Sequence, residues 1–447
     1  MQCCDTVNCN NGERICIPES KAPRVVVIGG GFAGLKLVEC LKNKNVQVVL
    51  IDKNNFHQFV PLLYQVATSG IEPDNIVFPF RRILSRQSNV VFRMAGATGI
   101  DMDNNQLNTS IGSVPYDYLV LAQGSVVNFF GNKSFEWGGL GLKSITDALD
   151  IRSLVLQNLE RAAVTCTPHE KSVLSTIVIV GAGPAGVEMA GAFAEFKKYI
   201  IPNDYPELLT TGMTIYLIEA GDRLLPAMPG KLSEKTLRYL NDLNVEILLN
   251  VKVKSYHGSV ASLDNGQVIK AANFIWTAGI KGAFVNGLPS AVYNRQNRIS
   301  VDEFNRVSQT KNIFAVGDIA CMVNEKFPNG HPMVAQVAIQ QGKLLAQNIV
   351  RLINNKDMVS FEYHDKGTMA TIGKQRAVAF IGNRSFGGRI AWVLWSAVHL
   401  MSIIGVRNKL LIAINWFWNY LTYDKGDRVI IRKYSGKGDL KKEVNHE

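Results

Sequence analysis

Two glycine triplets, Gly29-x-Gly31-x-x-Gly34 and Gly181-x-Gly183-x-x-Gly186, are copies of one chemical device. Each follows a run of β-branched residues, VVVI at 25–28 and TIVIV at 176–180, and continues into a helical sequence, LKLVECLKN or VEMAGAFAEF. In such a turn the first glycine permits the tight bend, the second lets the backbone approach a pyrophosphate, and the third lets helix and strand pack closely. The helix's first-turn N–H groups and its dipole then face the phosphates. A second strand supplies an acid to grip a ribose hydroxyl. VQVVLID ends in Asp52, 18 residues beyond Gly34, and MTIYLIEAG carries Glu219, 33 residues beyond Gly186. The usual interval is about 20 residues, and the insertion KKYIIPNDYPELLTTG explains the excess. An acid rather than an arginine at Glu219 favours NAD(H) over NADP(H), although Arg223 lies nearby. A protein that holds two dinucleotides most simply passes a hydride between them, and NADH with FAD is the natural pair.

The elements around these turns indicate which site takes which cofactor. Lys311–Ala320, KNIFAVGDIA, is a short strand stopping at Gly317-Asp318, and the helical sequence VAQVAIQQGKLLAQNIV follows. Here the chain resembles the two-dinucleotide-binding flavoprotein reductases. The resemblance implies that this strand returns to the FAD domain, that Asp318 contacts the flavin ribityl chain, and that the next helix points its N-terminus at the pyrimidine end of the ring. A positive helix end there favours the anionic reduced flavin. Ala122-Gln123-Gly124 and Thr277-Ala278-Gly279 resemble the turns that close the FAD and NAD domains. Residues 53–84, broken by Pro61, Gly70, Pro73 and Pro79, read as short pieces packed against the cofactor. Residues 89–108 read as short strands, Tyr116–Gly124 as a buried strand, and 144–164 as a helix.

Size and composition bound the rest. A chain of 447 residues carries two or three domains. Its formal charge is +11, and from Lys374 onward 13 Lys and Arg face 5 Asp and Glu, a net of +8. Four of the 7 cysteines, Cys3, Cys4, Cys9 and Cys16, crowd the start at spacings that match no zinc pattern. Residues 1–23 have neither the basic start nor the apolar core of a signal peptide and read as a disordered tail. This favours a reducing, cytosolic compartment without a disulfide framework. No metal site is expected.

The basic C-terminal region points to the electron acceptor. RIAWVLWSAVHLMSII (389–404) and RNKLLIAINWFWNYL (407–421) are nearly apolar helices with thin polar stripes, Ser396, His399 and Ser402 in one and Asn408, Asn415, Asn419 and Thr422 in the other. Both are shorter than the roughly 18–20 residues that span a bilayer. Trp392, Trp395, Trp416 and Trp418 suit a membrane interface, and Arg384, Arg389, Arg407, Lys409, Lys425, Arg428, Arg432 and Lys433 suit anionic lipid. The pair reads as a monotopic anchor; the rival readings are a buried hairpin in a dimer interface and a transmembrane hairpin. Nucleic acid is not an expected partner, because the basic residues flank aliphatic stretches rather than alternating with stacking aromatics.

A membrane-surface flavoprotein fed by NADH points to a lipid-soluble quinone as its electron acceptor. GGGFAG, PLLYQVATSGIEP (Pro61–Pro73), GAGPAGVEMAG, AVGD, AQVAIQQG (Ala335–Gly342) and WFWNYLTYDKG together resemble the type II NADH:quinone oxidoreductases over residues 24–433. The resemblance implies an α/β fold of two Rossmann-like dinucleotide-binding domains, for FAD and NADH, plus a C-terminal membrane-anchoring helical region. The implied segments are a tail (1–23), the first part of the FAD domain (24–147), the NADH domain (148–285), the return to the FAD domain (286–356) and a membrane-association region (357–447) with helices at about 387–404 and 407–421. For FAD it implies Gly29, Gly31, Gly34, Asp52, Lys53, Gln65, Ala122, Gly124, Asp318, Ala335 and Gln336, and for NADH Gly181, Gly183, Gly186, Glu188, Glu219 and Gly279. Gln336 and Gln340, one helical turn apart, would face the flavin and the quinone. Glu188 would aid proton delivery or NADH orientation, and Lys374 would stand at the pocket mouth. It also implies a homodimer, while the absent signal and the basic anchor favour the cytoplasmic face of a bacterial inner membrane. The alternatives are a sulfide:quinone oxidoreductase using Cys166 and Cys321, which would not need the second fingerprint, and a non-enzymatic NAD(H) sensor.

Overall fold

The computed structural model describes residues 15–210, 212–422 and 426–436. Cys3, Cys4, Cys9 and Lys425 lie outside the described residues. Seven helices matter below: α1 (Phe32–Cys40), α2 (Leu63–Ala67), α3 (Ile145–Val164), α4 (Pro184–Tyr199), α5 (Ala335–Ile353), α6 (Arg389–Ser402) and α7 (Val406–Thr422). The chain forms two compact units.

The first unit takes residues up to His57, Val77–Val126 and Ile280–Asp365. Its five-stranded parallel sheet runs in the order Ile313–Ala315, Tyr118–Leu121, Arg24–Ile28, Gln47–Asp52, Val90–Met94. Val25, Val26 and Val27 are fully buried, as expected of a parallel strand covered on both faces. The sheet order reverses direction at Arg24–Ile28, the switch point where such sheets bind ligands. The segment from Ile15 is not free: the Ile15 amide donates to the Ser113 carbonyl at 3.2 Å, Ile17 is buried in the core, and Gln47 Nε2 donates to the Pro18 carbonyl at 2.6 Å. That packing differs from the disordered tail expected for 1–23.

The second unit takes Gln58–Ile76, Val127–Gly279 and the chain from Lys366 on. Its parallel sheet repeats the first, in the order Leu140–Gly141, Asn273–Trp276, Ile177–Val180, Ile215–Ile218, Glu246–Leu248. Helix α3 starts at a capping box in which Ser144 and Asp147 satisfy each other's amides. Residues 58–76, which the reading above set within 24–147, pack here instead, through α2 against α3 and α4. The C-terminal region adds a three-stranded antiparallel sheet of Thr368–Thr371, Ala377–Ile381 and Arg384–Gly387, and α6 lies on it.

Helices α6 and α7 turn several polar groups inward and leave an apolar stripe exposed. On α7, Asn408 Nδ2 donates to the Asp74 carbonyl at 3.0 Å and Asn419 Nδ2 to the Gly70 carbonyl at 3.1 Å. The opposite stripe is exposed: Val406 74%, Leu410 58%, Ile414 61% and Phe417 64%. On α6, Ile390, Val393 and Met401 are likewise exposed. The expectation that four tryptophans face a membrane interface is corrected. Trp395 is buried, the Trp416 indole donates inward to Gln65, and Trp392 lines a cavity with them, so only Trp418 is exposed. The basic residues divide as well. Arg428 pairs with Asp204 at 2.6 Å, Arg432 with Asp150, and the fully buried Arg152 of α3 with Asp427. No described helix is long and apolar enough to cross a membrane.

The Arg152–Asp427 pair fastens the segment after α7 to α3. Removing one partner of a buried pair strands the other charge and typically costs about 3–5 kcal/mol. Asp427→Asn is therefore expected to lower the thermal unfolding midpoint by several degrees in calorimetry, while the exposed-site variant Lys326→Ala leaves it in place.

Candidate functional site

The two fingerprints share one backbone geometry. Gly29 and Gly181 have φ of +95° and +101°, where only glycine is unstrained. A Cβ on Gly34 would lie 1.9 Å from the Gly29 carbonyl oxygen, and one on Gly186 would lie 1.9 Å from that of Gly181. A Cβ on Gly31 or Gly183 would meet nothing within 4 Å. The middle glycine thus borders open space at a helix N-terminus, the cradle a pyrophosphate needs. The acids match too. Asp52 Oδ2 accepts the Gly30 amide at 2.7 Å and Oδ1 the Asn54 amide at 2.8 Å; Glu219 Oε2 accepts the Ala182 amide at 2.7 Å and Oε1 the Gly221 amide at 2.8 Å. Each carboxylate is fixed by two amides and keeps lone pairs for a ribose diol. Burial pushes the Asp52 carboxyl up, against the pull of the Gly30 and Asn54 amides and the Lys53 charge.

The closing turns lie where the sequence suggested. A Cβ on Gly29 would meet the Ala122 carbonyl oxygen at 2.5 Å, and one on Gly181 the Ala278 Cα at 2.5 Å. Gly124 has φ of +71°, and the Gly279 carbonyl accepts the Asn128 amide at 3.0 Å. Asp318 stands beyond the sheet edge strand, where Ser125 Oγ donates to its Oδ2 at 2.5 Å. Helix α5 begins at Ala335 and packs on α1. Gln336 and Gln340 do share a face of α5. The Gln340 carboxamide is engaged at both ends by the His364 backbone, at 2.9 and 3.0 Å, and Gln336 Nε2 lies 3.5 Å from Asp365 Oδ1.

A cavity of about 790 Å³, counting its open mouth, lies within the second unit. It brings Glu188, Lys374 and Gln65 together; the sequence reading set Gln65 with the FAD residues. Glu188 is buried in the second turn of α4, and burial pushes its carboxyl up to about 8 against the Thr371 amide, 3.4 Å away, and the Trp395 indole N–H. The Lys374 amide donates to Glu195, and its Nζ donates to the Asn419 carbonyl at 3.3 Å. Trp392, Trp395 and Trp416 supply flat apolar walls. An apolar cleft with a few polar groups, one a carboxyl that stays protonated at neutral pH, suits a flat, uncharged molecule with polar ends.

Sequence reasoning missed Tyr64, Glu195, Trp395 and Asn419 as cavity groups. One signal was available: Glu188, Ala192, Glu195 and Tyr199 recur at i, i+4, i+7 and i+11, a single helix face. Cys166 is exposed and Cys321 buried, and both thiols are free. Among the described residues no group of His, Cys, Asp and Glu could hold a metal ion.

Residues 23–342 match the pyridine nucleotide-disulphide oxidoreductase family and residues 365–423 the NDH2 C-terminal domain. The chain is 35% identical to the type II NADH:quinone oxidoreductase Ndh of Mycobacterium tuberculosis, over 92% of each chain. It is 28% identical to the mitochondrial internal alternative NAD(P)H-ubiquinone oxidoreductase A1 of Arabidopsis thaliana, over 90% of this chain and 85% of that one. Its fold matches the structure of NDH2 from Plasmodium falciparum in complex with NADH, with a TM-score of 0.85 at 20% identity, covering 92% of this chain and 100% of that one. The duplicated cradle, the C-terminal domain and the identity across nearly the whole length agree: the chain belongs to the type II NADH:quinone oxidoreductase family.

Proposed function

We propose that this protein oxidises NADH and passes two electrons to a quinone at a membrane surface, without pumping protons. The observation that carries the reading is the pair of matching glycine cradles in one chain with an apolar cavity backed by helices that expose an apolar stripe. FAD, when bound, accepts a hydride and releases electrons to the acceptor. Gly29, Gly31, Gly34 and Asp52 would hold its pyrophosphate and ribose, and Ala122, Gly124, Asp318, Ala335 and Gln336 its remainder. Gly181, Gly183, Gly186, Glu219 and Gly279 would hold NADH. The chain's own contribution is to orient the nicotinamide, keep water out and deliver protons. Gln336 presents an uncharged carboxamide; Gln340 would first have to release the His364 backbone. The central test is direct. NADH, in preference to NADPH, should bleach the flavin absorbance, and a soluble quinone should restore it; bleaching without reoxidation would sink the reading.

Glu188 is assigned the proton supply of the quinone half-reaction. Its carboxyl keeps its proton up to about pH 8. Quinone-dependent turnover should then fall above about pH 8 while reduction of the flavin by NADH does not. Glu188→Gln should lower turnover at pH 7 and erase that limb. The linkage has a sign as well. A carboxyl raised above its unfolded value loses stability as pH rises toward its folded pKa, so the same variant should melt higher than the parent at pH 8 and level with it at pH 4.

Helices α6 and α7 are proposed to lie on an anionic bilayer, Arg384, Arg407 and the exposed apolar stripe making the contact, at the cytoplasmic face of a bacterial inner membrane. Ile414→Glu with Leu410→Glu is expected to abolish sedimentation with anionic vesicles and to leave flavin content unchanged. A homodimer is proposed on the family resemblance, and sedimentation velocity measures it.

A further inference from the structure

One hydrogen-bonded chain in the cavity wall has a direction that its donors dictate. The Trp416 indole N–H donates to Gln65 Oε1 at 2.9 Å, and Gln65 Nε2 donates to the Tyr64 hydroxyl at 2.8 Å. An indole nitrogen only donates. The oxygen end of the Gln65 carboxamide must therefore face α7, and its NH₂ end must face the phenol. The Tyr64 oxygen is thereby an acceptor, and its own proton is left over. Among the described residues no group accepts that proton. Tyr64 is buried, and it lines the cavity with Glu188 and Glu195. Burial holds the phenol protonated throughout the working pH range.

We infer that the Tyr64 hydroxyl is the hydrogen-bond donor that holds a carbonyl of the quinone head group in this cavity, and that Gln65 and Trp416 are positioning residues that aim its proton. This rests on the cavity being the quinone site. A buried donor left without a partner costs more than a bond made to water returns, so the site selects an occupant with a carbonyl acceptor. The chain starts on α7, beside the exposed Phe417 and Trp418. The seating of that helix therefore sets the polarity of the donor. Without the indole N–H, Gln65 is free to turn its carboxamide over. Its oxygen then accepts the Tyr64 proton, and the donor is lost to the cavity.

The test is calorimetric titration of the oxidised, flavin-loaded full chain with a short-chain soluble ubiquinone, alongside the steady-state KM and kcat for that quinone. Tyr64→Phe should raise Kd and KM about tenfold and change kcat less. Trp416→Phe keeps an aromatic wall but removes the N–H, and it should act in the same direction. The double variant should be no worse than Tyr64→Phe alone, because both remove one interaction. Bleaching of the flavin by NADH reports that each variant is folded. Ser396→Phe, which fills the cavity from α6, separates the two claims. If it leaves Kd unchanged, the cavity is not the quinone site and the inference falls with that reading. If it weakens binding and Tyr64→Phe does not, the donor assignment alone is overturned. If the effects of Tyr64→Phe and Trp416→Phe multiply in full, the aiming of the proton through Gln65 is overturned.

Discussion

Both dinucleotide cradles depend on a backbone crossing that admits no side chain. The third glycine of each fingerprint brings its helix so close to the turn that a Cβ would sit 1.9 Å from a carbonyl oxygen. That approach sets the N-terminus of α1 or α4 at the end of its strand, where the free N–H groups and the dipole meet phosphate. It also sets the amides of Gly30 and Ala182 within 2.7 Å of Asp52 and Glu219, so the acids are held before any ribose arrives. The buried β-branched strands supply the rigid floor, and the closing turns at Ala122 and Ala278 fill the space against the first glycine.

The C-terminal hairpin meets a different constraint. Its carboxamides saturate backbone carbonyls of residues 70–75, which no regular ladder would otherwise satisfy. With Asn408, Asn419 and the indoles of Trp395 and Trp416 turned inward, an aliphatic stripe of α6 and α7 is left on the outside. One pair of helices therefore walls an interior cavity and presents an apolar surface, and electrons bound for a lipid-soluble acceptor need both.

Burial governs the cavity's electrostatics. Glu188 accepts one long backbone bond, at 3.4 Å, which is too little to offset desolvation, so its carboxyl rises to about 8. Asp52 is also pushed up, yet two amides at 2.7 and 2.8 Å and the Lys53 charge oppose the push. The contrast separates a proton-holding acid from a hydroxyl-gripping one.

Much of the fold was legible locally. Glycine spacing, β-branched runs and an acid at the end of the next strand are short-range chemistry, and they located both cradles, both acids and the helix over 144–164. The amphipathic C-terminal pair was visible in composition, and its ends, Arg389–Ser402 and Val406–Thr422, lie within a few residues of those expected. Which way that pair faced was not visible: Trp, Asn and Ser at helical spacing read equally well as an outer rim or an inner wall, and only the carbonyls of 70–75 chose. Nor could periodicity show that residues 58–76 leave the first sheet to pack under α3 and α4, or that Tyr64 and Gln65 meet Trp416 across some 350 residues of chain. Sequence spacing alone determined the turns, because a turn is closed by its neighbours; the cavity was decided by the tertiary structure, because its walls come from five segments that share no local signal.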